Sequence, residues 1–134
     1  MRLAIAAAAL LTAVSAMPAA AQSCARVEEA LTPAIRSAEA DRVSRALKGA
    51  RVYPENVTRV MKWGTHRLVW ATPENMERGV FVFRGSNNGY QFVDSWGGVV
   101  APGEEGDAAA WLRAKPGSPS ALLSRCFAEA VAGE

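Results

Sequence analysis

Hydrophobic positions in the middle of the chain recur at the spacings of β-strands. Residues 66–72 (HRLVWAT) are β-branched and aromatic and stop at Pro73, so they predict a strand. Residues 80–84 (VFVFR) are apolar on both faces as far as Arg84, which predicts a strand in the middle of a sheet. Residues 53–63 suit either a short helix or an edge strand, and we favour the strand.

The stretch FVFRGSNNGYQFVDSWGG, residues 81–98, predicts a β-hairpin. Asn87-Asn88-Gly89 supplies residues that tolerate positive φ, as a tight hairpin turn requires. Strand alternation after the turn places one set of side chains on a common face. That set is Tyr90, Phe92, Asp94 and Trp96, and the opposite set is Gln91, Val93 and Ser95.

Two interpretations of that face remain open. If helices cover it, its aromatic residues belong to the core, and Asp94 is a buried acid that needs a donor such as Arg84. If it is open to solvent, Tyr90 and Trp96 form an aromatic strip of the kind that binds proteins or sugars.

On either side of the strands the hydrophobic spacing is helical. Residues 24–50 predict one helix kinked at Pro33 or two short helices. Asp107 is a predicted N-cap for AAAWLRAK, and Ser118, followed by Pro119, is predicted to begin the last helix. The last helix carries an apolar stripe of Leu122, Leu123, Cys126, Phe127, Ala130 and Val131.

These segments predict an α+β fold with two layers. A meander of three to four antiparallel strands would pack against N- and C-terminal helices on one sheet face. Packing the last helix beside the first brings Cys126 to Cys24, and we predict a disulfide between them.

The amino terminus has the pattern of a secretory signal peptide. Arg2 precedes an apolar run over residues 3–14, and Ala19-Ala20-Ala21 suits signal peptidase. We therefore predict a signal peptide at residues 1–21, a single domain at residues 22–134, and a periplasmic or secreted location. Charges, glycines or prolines interrupt every later apolar run, so we predict no membrane anchor in the mature chain.

The charge pattern and the reactive residues indicate which functional classes are disfavoured. The chain has 15 basic and 13 acidic residues, and their interleaving gives no basic stripe for nucleic acid. We predict no cofactor and no metal site, because the one histidine and the scattered acids form no ligand cluster. The weak catalytic candidates are His66 as a base and Asp94 as its partner.

The leading hypothesis is a small, non-enzymatic binding protein. Its predicted binding residues are Tyr90, Asp94, Trp96 and Arg84 on the hairpin, and its partner would be an envelope protein or polymer. One alternative is a small hydrolase or lyase that uses His66 with Asp94. Another is an assembly subunit that adds strand 66–72 or 57–63 to another sheet.

Overall fold

The computed structural model describes residues 23–86 and 88–134. The predicted signal peptide at residues 1–21 and its cleavage site lie outside the described residues. The elements in chain order are a 3₁₀ turn at Cys24–Arg26, helix α1 at Pro33–Ala46, a 3₁₀ turn at Pro54–Asn56, strands β1 at Val57–Trp63, β2 at His66–Ala71, β3 at Gly79–Ser86 and β4 at Gly89–Trp96, and helices α2 at Glu105–Arg113 and α3 at Ala121–Ala132.

The strands form one antiparallel sheet in the order β1-β2-β3-β4. Of the segment 53–63 predicted as a strand, residues 57–63 form β1, whereas Pro54–Asn56 form a 3₁₀ turn. Strand β3 is central, as its two apolar faces indicate. The outer edge of β1 is covered by the N-terminal segment: Glu29 N–H donates to Val60 O at 2.9 Å, and Lys62 N–H donates to Val27 O at 2.8 Å. This contact covers the outer edge of β1 at residues 60–62, and β2 is paired on both sides.

The predicted α+β meander with terminal helices and a disulfide is confirmed, but helices cover both faces of the sheet and make three layers instead of two. One face packs α2 and α3 against side chains such as Leu68 and Trp70. The other face packs α1 against side chains such as Val69 and Phe83. The reason is that consecutive residues of β2 and β3 are buried, so both faces of these strands need a covering layer.

The helix boundaries follow from local capping. The Thr32 hydroxyl accepts a hydrogen bond from Ile35 N–H, so α1 starts cleanly at Pro33 instead of continuing from residue 24. The predicted cap at Asp107 is wrong, because α2 begins at Glu105 and Asp107 falls in its first turn.

The last helix was predicted to begin at Ser118, which is two residues before its observed N-cap, Ser120. Ser118 has a φ of +48°, which is not the extended conformation of an N-cap. Ser120 is extended, and its hydroxyl accepts from Leu123 N–H at 3.1 Å.

The predicted disulfide joins Cys24 to Cys126, with 5.5 Å between their Cα atoms. It attaches the first 3₁₀ turn to α3 across a sequence separation of 102 residues. A loop of this size corresponds to about 4–5 kcal/mol of stabilisation in the chain-entropy model. Of the helices in the described part of the chain, none is long and apolar enough to cross a membrane.

Candidate functional site

A β-bulge in β4 reorganises the predicted aromatic face. Val82 pairs with Asp94 and the next residue, Phe83, pairs with Phe92, so Val93 is an extra residue on β4. A one-residue slip moves every later side chain to the opposite face of a strand. The prediction of a single face is therefore wrong. Tyr90 and Phe92 lie on the α1 side, and Asp94 and Trp96 lie on the side of α2 and α3.

Trp96 is used mainly for packing. Its ring lies 5.0 Å from that of Trp111 and 5.8 Å from that of Phe127 in edge-to-face contacts. Its indole N–H is buried and has no hydrogen-bond partner among the described residues.

Tyr90 is half-buried on the opposite side of the sheet. Its ring lies under two guanidinium groups, with the Cζ of Arg42 at 4.6 Å and the Cζ of Arg67 at 5.7 Å from the ring centroid. Packing in the core thus describes Tyr90 and Trp96 better than the alternative of a solvent-exposed aromatic strip. Of the three aromatic side chains on β4, only Phe92, at 41% exposure, is exposed.

A polar cleft of about 690 Å³ opens between the turn end of the β3–β4 hairpin and the connection from α2 to α3. We call it the hairpin cleft. It brings together two of the predicted binding residues, Arg84 and Asp94, with others that the sequence did not single out. Its walls include Arg84, Gln91, Phe92, Asp94, Lys115 and Pro116.

Asp94 clamps the connection between α2 and α3 from one side of this cleft. Lys115 Nζ donates to Asp94 Oδ2 at 2.7 Å, and Ser95 N–H donates to Asp94 Oδ1 at 2.8 Å. The hydrogen bond from Lys115, helped by that from Ser95 N–H, lowers the pKa of Asp94 below its ordinary value. The expected donor, Arg84, pairs with Gln91 in the sheet, and the bulge separates that pair from Asp94.

His66 clamps the same connection from the sheet. The residue is only 3% exposed, and its Nε2 lies 2.8 Å from the carbonyl oxygen of Pro116. A carbonyl only accepts, so Nε2 carries the hydrogen. His66 and Asp94 therefore bind consecutive residues, Pro116 and Lys115, and no hydrogen bond joins the two within the described part of the chain.

The exposed side chain of Arg84 packs against this connection between α2 and α3. A Cβ atom at Gly117 would lie 2.5 Å from Arg84 Nε and 2.7 Å from its Cζ, so the guanidinium packs directly on the glycine backbone. Gly117 has a φ of +81°, which favours glycine in any case. No described carboxylate forms an ion pair with Arg84. Arg84 is thus an exposed cation that contacts the Gly117 backbone and has no described carboxylate partner.

A second cleft, of about 320 Å³, lies on the other face of the hairpin. We call it the α1 cleft. Arg42 and Arg45 of α1 line it together with Phe83, Tyr90 and Phe92. Phe92 lines both clefts, and its ring meets that of Phe83 edge-on at 5.7 Å.

Beneath the α1 cleft lies a buried charge cluster that the sequence analysis missed. Arg67 contacts Glu39 at 2.8 Å and Glu29 at 2.7 Å, while Arg42 contacts Glu39 at 3.0 Å. Burial opposes the charge on Arg67, but its bonds to Glu29 and Glu39 together raise its pKa above the ordinary value. Strand alternation was the available signal, because Arg67 shares a face of β2 with Val69.

Comparisons with known proteins add no family to this geometry: no family model, curated protein or solved structure matches the chain. Within the described residues, no group of three or more histidine, cysteine, aspartate or glutamate side chains is arranged to hold a metal ion. The proposed function is therefore based on the local contacts of the hairpin and its two clefts.

Proposed function

We propose that this chain is an exported, non-enzymatic binding protein that recognises a macromolecule of the cell envelope through the turn end of its β3–β4 hairpin. The binding surface would comprise residues 89–92 with the hairpin cleft on one side and the α1 cleft on the other. The observation that carries the proposal is the position of Phe92, an exposed aromatic ring between two clefts that are both lined by cationic side chains.

This arrangement has the parts of a protein interaction site. Aromatic and arginine side chains supply most of the binding energy in such sites, because they bury large areas and donate several hydrogen bonds. Phe92 supplies an apolar anchor, and Arg84 supplies donors that no described carboxylate occupies. The contact with Gly117 reduces the freedom that Arg84 would lose on binding.

The hydrogen bonds of the catalytic candidates support binding over hydrolysis or elimination. A general base must reach the proton that it removes, and its partner must orient it. The described contacts of His66 and Asp94 are instead to Pro116, Lys115 and Ser95, and they hold a wall of the cleft in place.

Export is supported by two independent features. The predicted signal peptide at residues 1–21 would direct the chain across the membrane. The disulfide between Cys24 and Cys126 is of a kind that persists in oxidising compartments outside the cytosol.

Site-specific photo-crosslinking in cells that export the protein tests the proposal. A photoreactive phenylalanine analogue replaces Phe92 in one strain and Val99 in a control strain, because Val99 is an exposed apolar residue at 91% exposure outside both clefts. We expect a discrete crosslinked product from position 92 and none from position 99. Equal yields from the two positions, or no product from position 92, would contradict the proposed function.

A further inference from the structure

We propose that the partner contributes an acidic segment in extended conformation, which pairs with the outer edge of β4 and places carboxylates in both clefts. This inference rests on the proposed function and specifies the chemistry of the partner. It would make the recognition a strand addition guided by charge.

Strand β4 presents an open edge. β4 is the last strand of the sheet, and no described segment pairs with its outer side, whereas residues 27–29 cover the outer edge of β1. Unpaired backbone N–H and C=O groups on an edge strand are a template for another strand.

The added strand would pair with the turn end of β4. The bulge at Val93 breaks the regular ladder, and the carboxylate of Asp94 already accepts from Ser95 N–H. Residues 89–92 precede this interruption. They also lie between the two clefts, since Gly89 and Phe92 line both of them.

The two clefts match the geometry of an added strand. Successive side chains of a strand point to opposite faces of its sheet. The hairpin cleft lies on the face of α2 and α3, and the α1 cleft lies on the face of α1. A strand beside residues 89–92 would therefore place alternate side chains into one cleft and then the other.

The charges that line the two clefts favour an acidic partner. Asp94 balances Lys115, and Glu39 balances Arg42. Arg84 in the hairpin cleft and Arg45 in the α1 cleft have no ion pair with any described residue. Each face of an added strand would thus meet an uncompensated guanidinium, whose fork of donors suits a carboxylate.

Peptide binding tests this inference directly. The probes are a short fluorescent peptide of alternating valine and paired glutamate residues and its counterpart with glutamine at each glutamate. Fluorescence anisotropy with the mature, disulfide-bonded protein should show the glutamate peptide binding at least about tenfold more tightly, which corresponds to about 1.4 kcal/mol. The difference should shrink as salt is added.

Charge-reversal variants locate the site. Arg84→Glu and Arg45→Glu should each weaken binding of the glutamate peptide about tenfold or more. Arg113→Glu is the matched control, because Arg113 is an exposed arginine on α2 that lines neither cleft, and it should leave the affinity unchanged. Thermal melting of each variant verifies that it is folded.

Hydrogen exchange separates strand pairing from loose ionic contact. Saturation with the glutamate peptide should slow exchange of backbone amides within residues 89–92. Equal affinity for the two peptides, no loss in Arg84→Glu, or unchanged exchange at residues 89–92 would each overturn the inference. If position 92 still crosslinks to a partner in cells, the proposed binding function survives that failure.

Discussion

Gly117 and Arg84 are in direct contact, and this contact links the fold to the proposed site. The guanidinium of Arg84 occupies the space where any other residue at position 117 would place its Cβ atom. The backbone on the N-terminal side of Gly117 is held by His66 through Pro116 and by Asp94 through Lys115. The orientation of Arg84 therefore depends on a connection that two strands, β2 and β4, hold in place.

Substituting Gly117 by alanine should displace Arg84 with a modest loss of stability. Both Gly117 and Gly103 have positive φ, +81° and +89°, and alanine at either position should cost about 1–2 kcal/mol in backbone strain. A Cβ atom at 103 has no neighbour within 4 Å, so Gly103→Ala isolates the strain. Urea denaturation should give similar losses, whereas the Arg84 Nε–H resonance should move only in Gly117→Ala. A shift of equal size in both variants would disprove the contact.

Replacing His66 by phenylalanine should loosen the clamp on Pro116. The ring is retained, but the hydrogen bond to the Pro116 carbonyl is lost, which should lower the free energy of unfolding by about 1 kcal/mol. His66→Gln keeps a side-chain N–H donor and should lose less. If both variants kept their full stability but lost a hydrolytic activity, the result would support the alternative hypothesis of a hydrolase or lyase that uses His66 as a catalytic base.

The ion pair of Asp94 with Lys115 should make stability depend on pH in acid. Because Lys115 lowers the pKa of Asp94 in the folded protein, this stabilisation is complete above the unfolded value of about 3.9. It is then lost as the pH falls through the lower folded value. The carboxylate side is 46% exposed, so the effect should not exceed about 1 kcal/mol.

The matched measurement compares wild type with Asp94→Asn in urea from neutral pH downwards. The difference in the free energy of unfolding should be constant near neutrality and should vanish at low pH. If the advantage of wild type over Asp94→Asn instead grew as the pH fell, folding would raise the pKa of Asp94, and the predicted lowering would be wrong.

Breaking the buried charge cluster should be far more costly than breaking a surface ion pair. Glu39 is 1% exposed and contacts both Arg67 and Arg42, so Glu39→Gln should cost about 3–5 kcal/mol. Glu129→Gln breaks an exposed pair with Arg125 at 3.1 Å and should cost at most about 1 kcal/mol. Chemical denaturation of the two variants measures both losses, and equal losses would refute the structural role of the cluster.

Local patterns predicted the strands and the disulfide because the responsible signals are short-range or compositional. Strand β3 is apolar on both faces over VFVFR, which suffices to place it inside the sheet. A strand that is apolar on both faces needs helices on both faces of the sheet. The sequence of α1 did not indicate which face it covers, and the prediction placed all helices on one face.

The candidate site was harder to predict because its key features are non-local. No glycine or proline within YQFVDSW marks the bulge at Val93, so simple alternation placed Tyr90 and Trp96 on one face. The partner of His66 is a backbone carbonyl 50 residues away, and a backbone acceptor leaves no trace in residue types. Arg84 and Asp94, both predicted from the sequence as binding residues, line the hairpin cleft, but their neighbours Lys115 and Gly117 come from the connection between α2 and α3.

The most direct test of the account measures the crosslink from position 92 in cells that produce the protein with either Gly117→Ala or Gly103→Ala. The two variants share backbone strain of the same kind, but only Gly117→Ala displaces Arg84 from the hairpin cleft. The account predicts that the crosslinked product persists in Gly103→Ala and is strongly reduced in Gly117→Ala. Undiminished product in Gly117→Ala, with both variants exported and folded, would contradict recognition through this end of the hairpin.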